Sequence, residues 1–164
     1  MTTRRAATLV EAAGRGALAG LAGVLAMTIS EKVEQRFTGR PNSYVPARAL
    51  LTLAGRQPAE SATPTAANLA MHWGTGALLG ALRGVWSATG IRGAEATATH
   101  AVVRLAFDQT VENVTGVGAP PSTWPANERA LDTAHKGVYA LATGLVADRC
   151  IRPSAQSGRG RLSH

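Results

Sequence analysis

Three histidines lie within long apolar stretches of the chain: His72, His100 and His135. Near them in sequence or register stand Glu31, Asn68, Arg104, Asp108 and Glu112. These groups can be used in several ways. Buried polar side chains most often serve as hydrogen-bonding partners that hold helices in register. Histidine also titrates near neutrality, so a file of His, Asp and Glu is what a proton or ion pathway requires. Two histidines on facing helices would suit axial ligation of haem iron. A di-metal carboxylate bundle needs paired Glu-x-x-His motifs, and only Asp132-x-x-His135 comes near one. There is no His-Glu-x-x-His, no Gly-x-Ser-x-Gly elbow, no phosphate-cradling loop and no dinucleotide fingerprint. The residues point away from an enzyme and from a resident cofactor, haem and metal included. They point toward one interior polar cluster made of Glu31, Asn68, His72, His100, Arg104, Asp108, Glu112 and His135.

The spacing says how such a cluster would be held. His100, Arg104, Asp108 and Glu112 step by four, which sets them in one stripe along a helix. Val102, Leu105 and Ala106 fall away from that stripe. An unpaired Arg104 at the centre of a bilayer would cost about 2.5–3.5 kcal/mol. Asp108, one turn along, is its nearest partner, and the stripe must therefore face the interior of a bundle. Asp132 and Lys136 can pair at the same spacing.

Four helices can be drawn to carry these residues, at about 12–34, 64–86, 94–115 and 128–150. The first holds the uncharged run Gly16–Ser30, with Gly16, Gly20 and Gly23 on one face. The second is uncharged from Ser61 to Leu82, and Gly76, Gly80 and Gly84 continue the face of Asn68 and His72. Such small-xxx-small ridges let helix backbones approach closely. Each glycine otherwise costs a helix about 1 kcal/mol against alanine. On the fourth helix Gly137, Leu141, Gly144 and Asp148 share a face.

Between the first two helices, Pro41, Pro46, Pro58 and Pro64 break the chain. Pro46 opens a short helix ended by Gly55, either lying on a membrane surface or serving as an ordinary loop helix. Trp124, in a proline-rich loop before the fourth helix, is a natural interface anchor.

Composition agrees with helices in a lipid setting. Charged residues are 16% and aromatics only 4%, too few bulky side chains for a large soluble core, while glycine numbers 18. The net charge of +7 is scattered, with no basic run or aromatic interleaving of a nucleic-acid binder. Cys150 is the sole cysteine, which excludes a disulfide framework and suggests inert packing. The N-terminal positive-then-apolar pattern lacks a cleavage site and reads as a retained anchor.

The fold expected is all-α: a four-helix transmembrane bundle in one domain, 1–152, with a disordered tail over 153–164. Nine Lys/Arg fall on the side of both termini against seven on the other, which favours cytoplasmic termini in a bacterial inner membrane. The lipid bilayer is the first partner, with a second copy or another membrane protein against a close-packing face. The uncharged runs of the first and fourth helices, fifteen and eleven residues, would also suit a soluble or peripheral bundle.

Three short motifs carry a resemblance. They are His72-Trp73-Gly74-x-Gly76 followed by Gly80, Pro120-Pro121-x-x-Trp124-Pro125, and His135-Lys136-x-Val138-Tyr139 with Gly144. Together, over Gly16 to Asp148, the chain resembles the YagU-like family of small bacterial inner-membrane proteins, whose function is poorly defined. The resemblance implies four spans with a histidine in the second and the fourth. Arg104 and Asp108 depart from its pattern.

Overall fold

A computed structural model describes residues 2–155 of the chain. They form five α-helices: α1 Thr2–Thr38, α2 Val45–Leu53, α3 Thr65–Thr89, α4 Gly93–Thr115 and α5 Ala126–Cys150. A single 3-10 turn, Pro121–Thr123, precedes α5, and no strand occurs among the described residues.

Glycine spacing explains the tightest pairing, that of α1 with α3. Gly16 lies against Gly80 and Gly84, and Gly20 against Gly76 and Gly80. A Cβ at Gly80 would stand 2.5 Å from the Gly16 carbonyl oxygen and the Gly20 Cα, backbone that cannot step aside. The two ridges therefore mesh backbone to backbone, with Val24 of α1 completing the fit over Gly76. The third glycine of α1, Gly23, serves a different neighbour: it makes room for Tyr139 and Thr143 of α5.

Tight turns set the order of the remaining helices. Gly90 (φ 97°) ends α3, and only Gly90, Ile91 and Arg92 separate it from α4. A left-handed residue at a helix C-terminus is the usual glycine position. So short a connection makes α3 and α4 antiparallel. Pro46 starts α2, whose Ala47 and Ala49 are fully buried and which packs on α3 and α4 while Leu53 stays exposed. The short helix of the first loop thus packs on the bundle through its alanines.

Both described chain ends meet at one end of the bundle. The Ala155 amide donates to the Ala88 carbonyl (2.9 Å), and Arg5 donates to the Ala155 carbonyl (3.3 Å). The tail expected to be disordered from 153 is therefore packed as far as Ala155, because this contact satisfies an α3 carbonyl. Its remainder, 156–164, lies outside the described residues.

The largest fully buried side chains are Arg83, Tyr139, His100, Val24, Thr143 and Ser87. Leu18, Leu25, Leu78, Val102, Leu141 and Leu145 are exposed, Leu18 by 67%. Alanine and glycine fill the space between the helices. Of the four helices expected to span a membrane, only α1 is long and apolar enough by itself, with mean hydropathy 1.4 over its best window. In α3 the glycines, Asn68, His72 and Arg83 dilute the leucines, and in α4 and α5 the interior charges do the same.

Candidate functional site

The buried polar side chains fall into two layers joined by an aromatic middle. The layer at the chain-terminal end is centred on Asp148 of α5. Arg83 Nη2 donates to Asp148 Oδ2 at 2.8 Å, and Ser87 Oγ donates to Oδ1 at 2.8 Å. The Gly93 amide, at the start of α4, donates to Oδ2 at 2.9 Å. Arg92 donates to the Asp148 and Ile151 carbonyls, closing the end of α5. Arg83 is entirely buried, and one carboxylate thereby ties α3, α4 and α5.

The opposite layer is centred on Asp108 of α4. Arg104 Nε donates to Asp108 Oδ2 at 3.0 Å, and Lys136 Nζ stands 3.5 Å from the same oxygen. Lys136 also pairs with Asp132 on its own helix. Glu112 is buried one turn beyond Asp108, with Gly118 packed against its side chain.

Beside this layer, His135 Nδ1 shares a hydrogen bond with Ser30 at 2.9 Å, and its Nε2 lies 3.7 Å from Glu34. Glu34, beyond the apolar run of α1, accepts from Arg40 Nη2 at 2.9 Å and from Thr38 Oγ1 at 2.6 Å. Those hydrogen bonds, Arg40's first, hold its carboxyl at about 2. His72 Nε2 meets Thr28 Oγ1 at 3.3 Å.

Tyr139 of α5 joins the layers. Its hydroxyl donates to the Gly76 carbonyl at 2.8 Å, inside the glycine ridge. The His100 ring lies 5.4 Å from its ring centroid, and the Arg104 guanidinium 4.9 Å. An arginine over an aromatic face is attracted by the ring quadrupole. His100 Nε2 donates to the Leu79 carbonyl (3.1 Å), which leaves Nδ1 as the acceptor.

The stripe read from the sequence thus turns inward: His100, Arg104 and Glu112 are buried and Asp108 nearly so. The residues expected to share one volume differ in the partners that hold them. His100, Arg104 and Asp108 gather around Tyr139 and Lys136. His72 and His135 instead face α1, each held by one of its hydroxyls. Glu31 and Asn68 are half-buried at the same end, and Asn68 Oδ1 has no hydrogen-bond partner.

Among the glycines, Gly144 packs on Thr97 of α4. Gly137 does not touch another helix: a Cβ there would meet nothing within 4 Å. It lines an open groove between α4 and α5. Cys150 is exposed rather than packed, at the very end of α5. Trp124 is half-buried and closes its own loop, donating to the Ala119 carbonyl at 2.9 Å.

Sequence reasoning missed Arg83, Ser87, Tyr139 and the reach of Lys136 to Asp108. Arg83 resembled a flanking basic residue at a helix end. The available signal was Ser87 one turn after it, with Asp148 on the small-residue face of α5.

The arrangement defines an all-α bundle with a charged, paired interior. Among the described residues no group of three or more His, Cys, Asp or Glu is placed to hold a metal ion. Comparison of the chain with protein-family models, curated proteins and solved structures finds no match.

Proposed function

We propose that the chain is a multi-pass membrane bundle in which α1, α3, α4 and α5 all span. Its role is that of a structural or accessory membrane protein, with interior ion pairs fixing helix register. The observation that carries this reading is the distribution of exposed charge. Over 16–30 on α1, 65–89 on α3, 96–115 on α4 and 130–148 on α5, no charged side chain is exposed. Every charge within those stretches is turned inward or half-buried. Water would favour the reverse, with leucines inside and charges out. A lipid surround makes the observed arrangement the favourable one, because charges inside a membrane face the bundle and pair.

Length agrees. At 1.5 Å per residue, α3, α4 and α5 run roughly 34–38 Å, enough to cross a hydrocarbon core of about 30 Å. Whole-helix hydropathy underrates α3, α4 and α5 since it averages inward and outward faces. A place among YagU-like inner-membrane proteins, with cytoplasmic termini, fits this proposal. Washing membranes of expressing cells with carbonate tests it: an integral bundle stays in the pellet. Release into the supernatant would restore the soluble or peripheral bundle.

A second reading, a proton or small-solute pathway, has one observation in its favour. His100 Nδ1 and Arg104 Nη1 are buried beside the Tyr139 ring, and neither has a hydrogen-bond partner. Proton flux in proteoliposomes that vanishes in a well-folded His100→Phe variant would support it. No flux through the folded wild type would leave the structural role alone.

A further inference from the structure

We propose that the outer side of α5 binds one anionic phospholipid, its phosphate held by Arg15, Arg149 and Arg152 and an acyl chain lying in the groove between α4 and α5. The proposal rests on the membrane-spanning reading and adds a specific ligand to it.

Arg149 lines two hollows. One is a groove of about 650 Å³ between α4 and α5, lined by small and apolar residues that include Ala98, Ala101, Gly137, Leu141 and Leu145. Gly137 keeps it open, for this glycine meets no neighbouring helix. The other is a polar hollow of about 340 Å³ beside the start of α1, lined by Arg15, Arg149 and Arg152 together with the Thr8 and Ser154 side chains. An apolar trough and a basic hollow that share Arg149 have together the polarity of an amphiphile.

Charge identifies the ligand's head. Three guanidinium groups line the polar hollow against one carboxylate, Glu11, which Arg15 already holds at 2.6 Å. Asp148 offers no relief, since Arg83, Ser87 and the Gly93 amide occupy its oxygens. The excess is positive and matches a phosphodiester, which accepts from arginine through several oxygens. Basic pockets between spanning helices at the cytoplasmic side are where anionic headgroups bind.

Native mass spectrometry of the full chain in detergent, titrated with phosphatidylglycerol or with phosphatidylcholine of the same chains, tests the proposal. Phosphatidylglycerol should be retained at least about fivefold better, and Arg149→Gln should lower its retention about fivefold. Ala98→Leu, which fills the trough from its exposed side, should weaken the long-chain lipid but not a dihexanoyl analogue. Equal retention of the two headgroups, or no effect of Arg149→Gln, would overturn the proposal. Glycerol phosphate competing as strongly as the intact lipid would also overturn it, in favour of a site for free phosphate. Carbonate release of the protein would defeat the membrane reading itself, whereas a pelleted protein without lipid preference would defeat this proposal alone.

Discussion

Arg83 of α3 and Asp148 of α5 stand 2.8 Å apart, with the guanidinium wholly out of solvent although 65 residues separate the pair in sequence. The carboxylate also receives Ser87 and the Gly93 amide, so one side chain fixes the mutual position of three helices. Removing a single partner of such a pair strands a buried charge. Asp148→Asn should destabilise the bundle by about 3–5 kcal/mol, read as a shift in its unfolding curve in detergent. Arg83→Leu combined with Asp148→Leu should recover much of that loss. A double variant no better than the single one would show that the charges are not coupled.

The glycine ridge gives a sharper comparison. Gly80 and Gly74 lie on the same helix, yet a Cβ at Gly80 would strike α1 backbone and one at Gly74 would meet nothing within 4 Å. Gly80→Ala should lower the melting temperature in detergent. Gly74→Ala should raise it, since alanine gains up to about 1 kcal/mol of helix propensity there. Equal responses would mean that the α1–α3 contact is not the close one.

Asp108 serves two cations, Arg104 at 3.0 Å and Lys136 at 3.5 Å. Asp108→Asn should therefore reduce yield and stability more than Asp132→Asn, because Asp132 is the more exposed carboxylate and holds Lys136 alone. Adding Arg104→Gln to Asp108→Asn should restore part of the yield. Fluorescence size-exclusion profiles of the three variants would reveal the order, and Asp132→Asn as the worst of them would reverse this ranking.

The corner after α1 should respond to acid. Glu34 is ionised at neutral pH, and its carboxyl is lowered from 4.5 to about 2, chiefly by the hydrogen bond from Arg40. A lowered carboxyl contributes stability above its unfolded value and loses it as pH falls through the folded one. Protection of the Gly39 amide, which donates to Gln35, should therefore decline between about pH 4.5 and about pH 2. Glu34→Gln should abolish that dependence, and a decline already complete at pH 4.5 would contradict it.

Much of the site was legible in particular residues. Four-residue steps put His100, Arg104, Asp108 and Glu112 on one face, and the cost of an unpaired arginine in lipid required that face to point inward. The same steps gave the Gly76–Gly80–Gly84 ridge. Gly137 read like Gly144, since both are small residues on one side of α5. Only the packed structure separates Gly144, which meets Thr97, from Gly137, which faces an open groove.

Periodicity is a property of a single helix, and it assigns residues to faces from the chain alone. It therefore determined the helical class, the inward stripe of α4 and the ridges of α1 and α3. The partner of each face depends on how helices far apart in sequence are set side by side, and no local spacing encodes that. The tertiary structure alone decided that Gly23 receives Tyr139, that His72 and His135 turn to α1 hydroxyls, and that Arg83 finds Asp148. A buried charge is tolerated only where its counter-charge is delivered within hydrogen-bond reach, and that delivery is an act of packing.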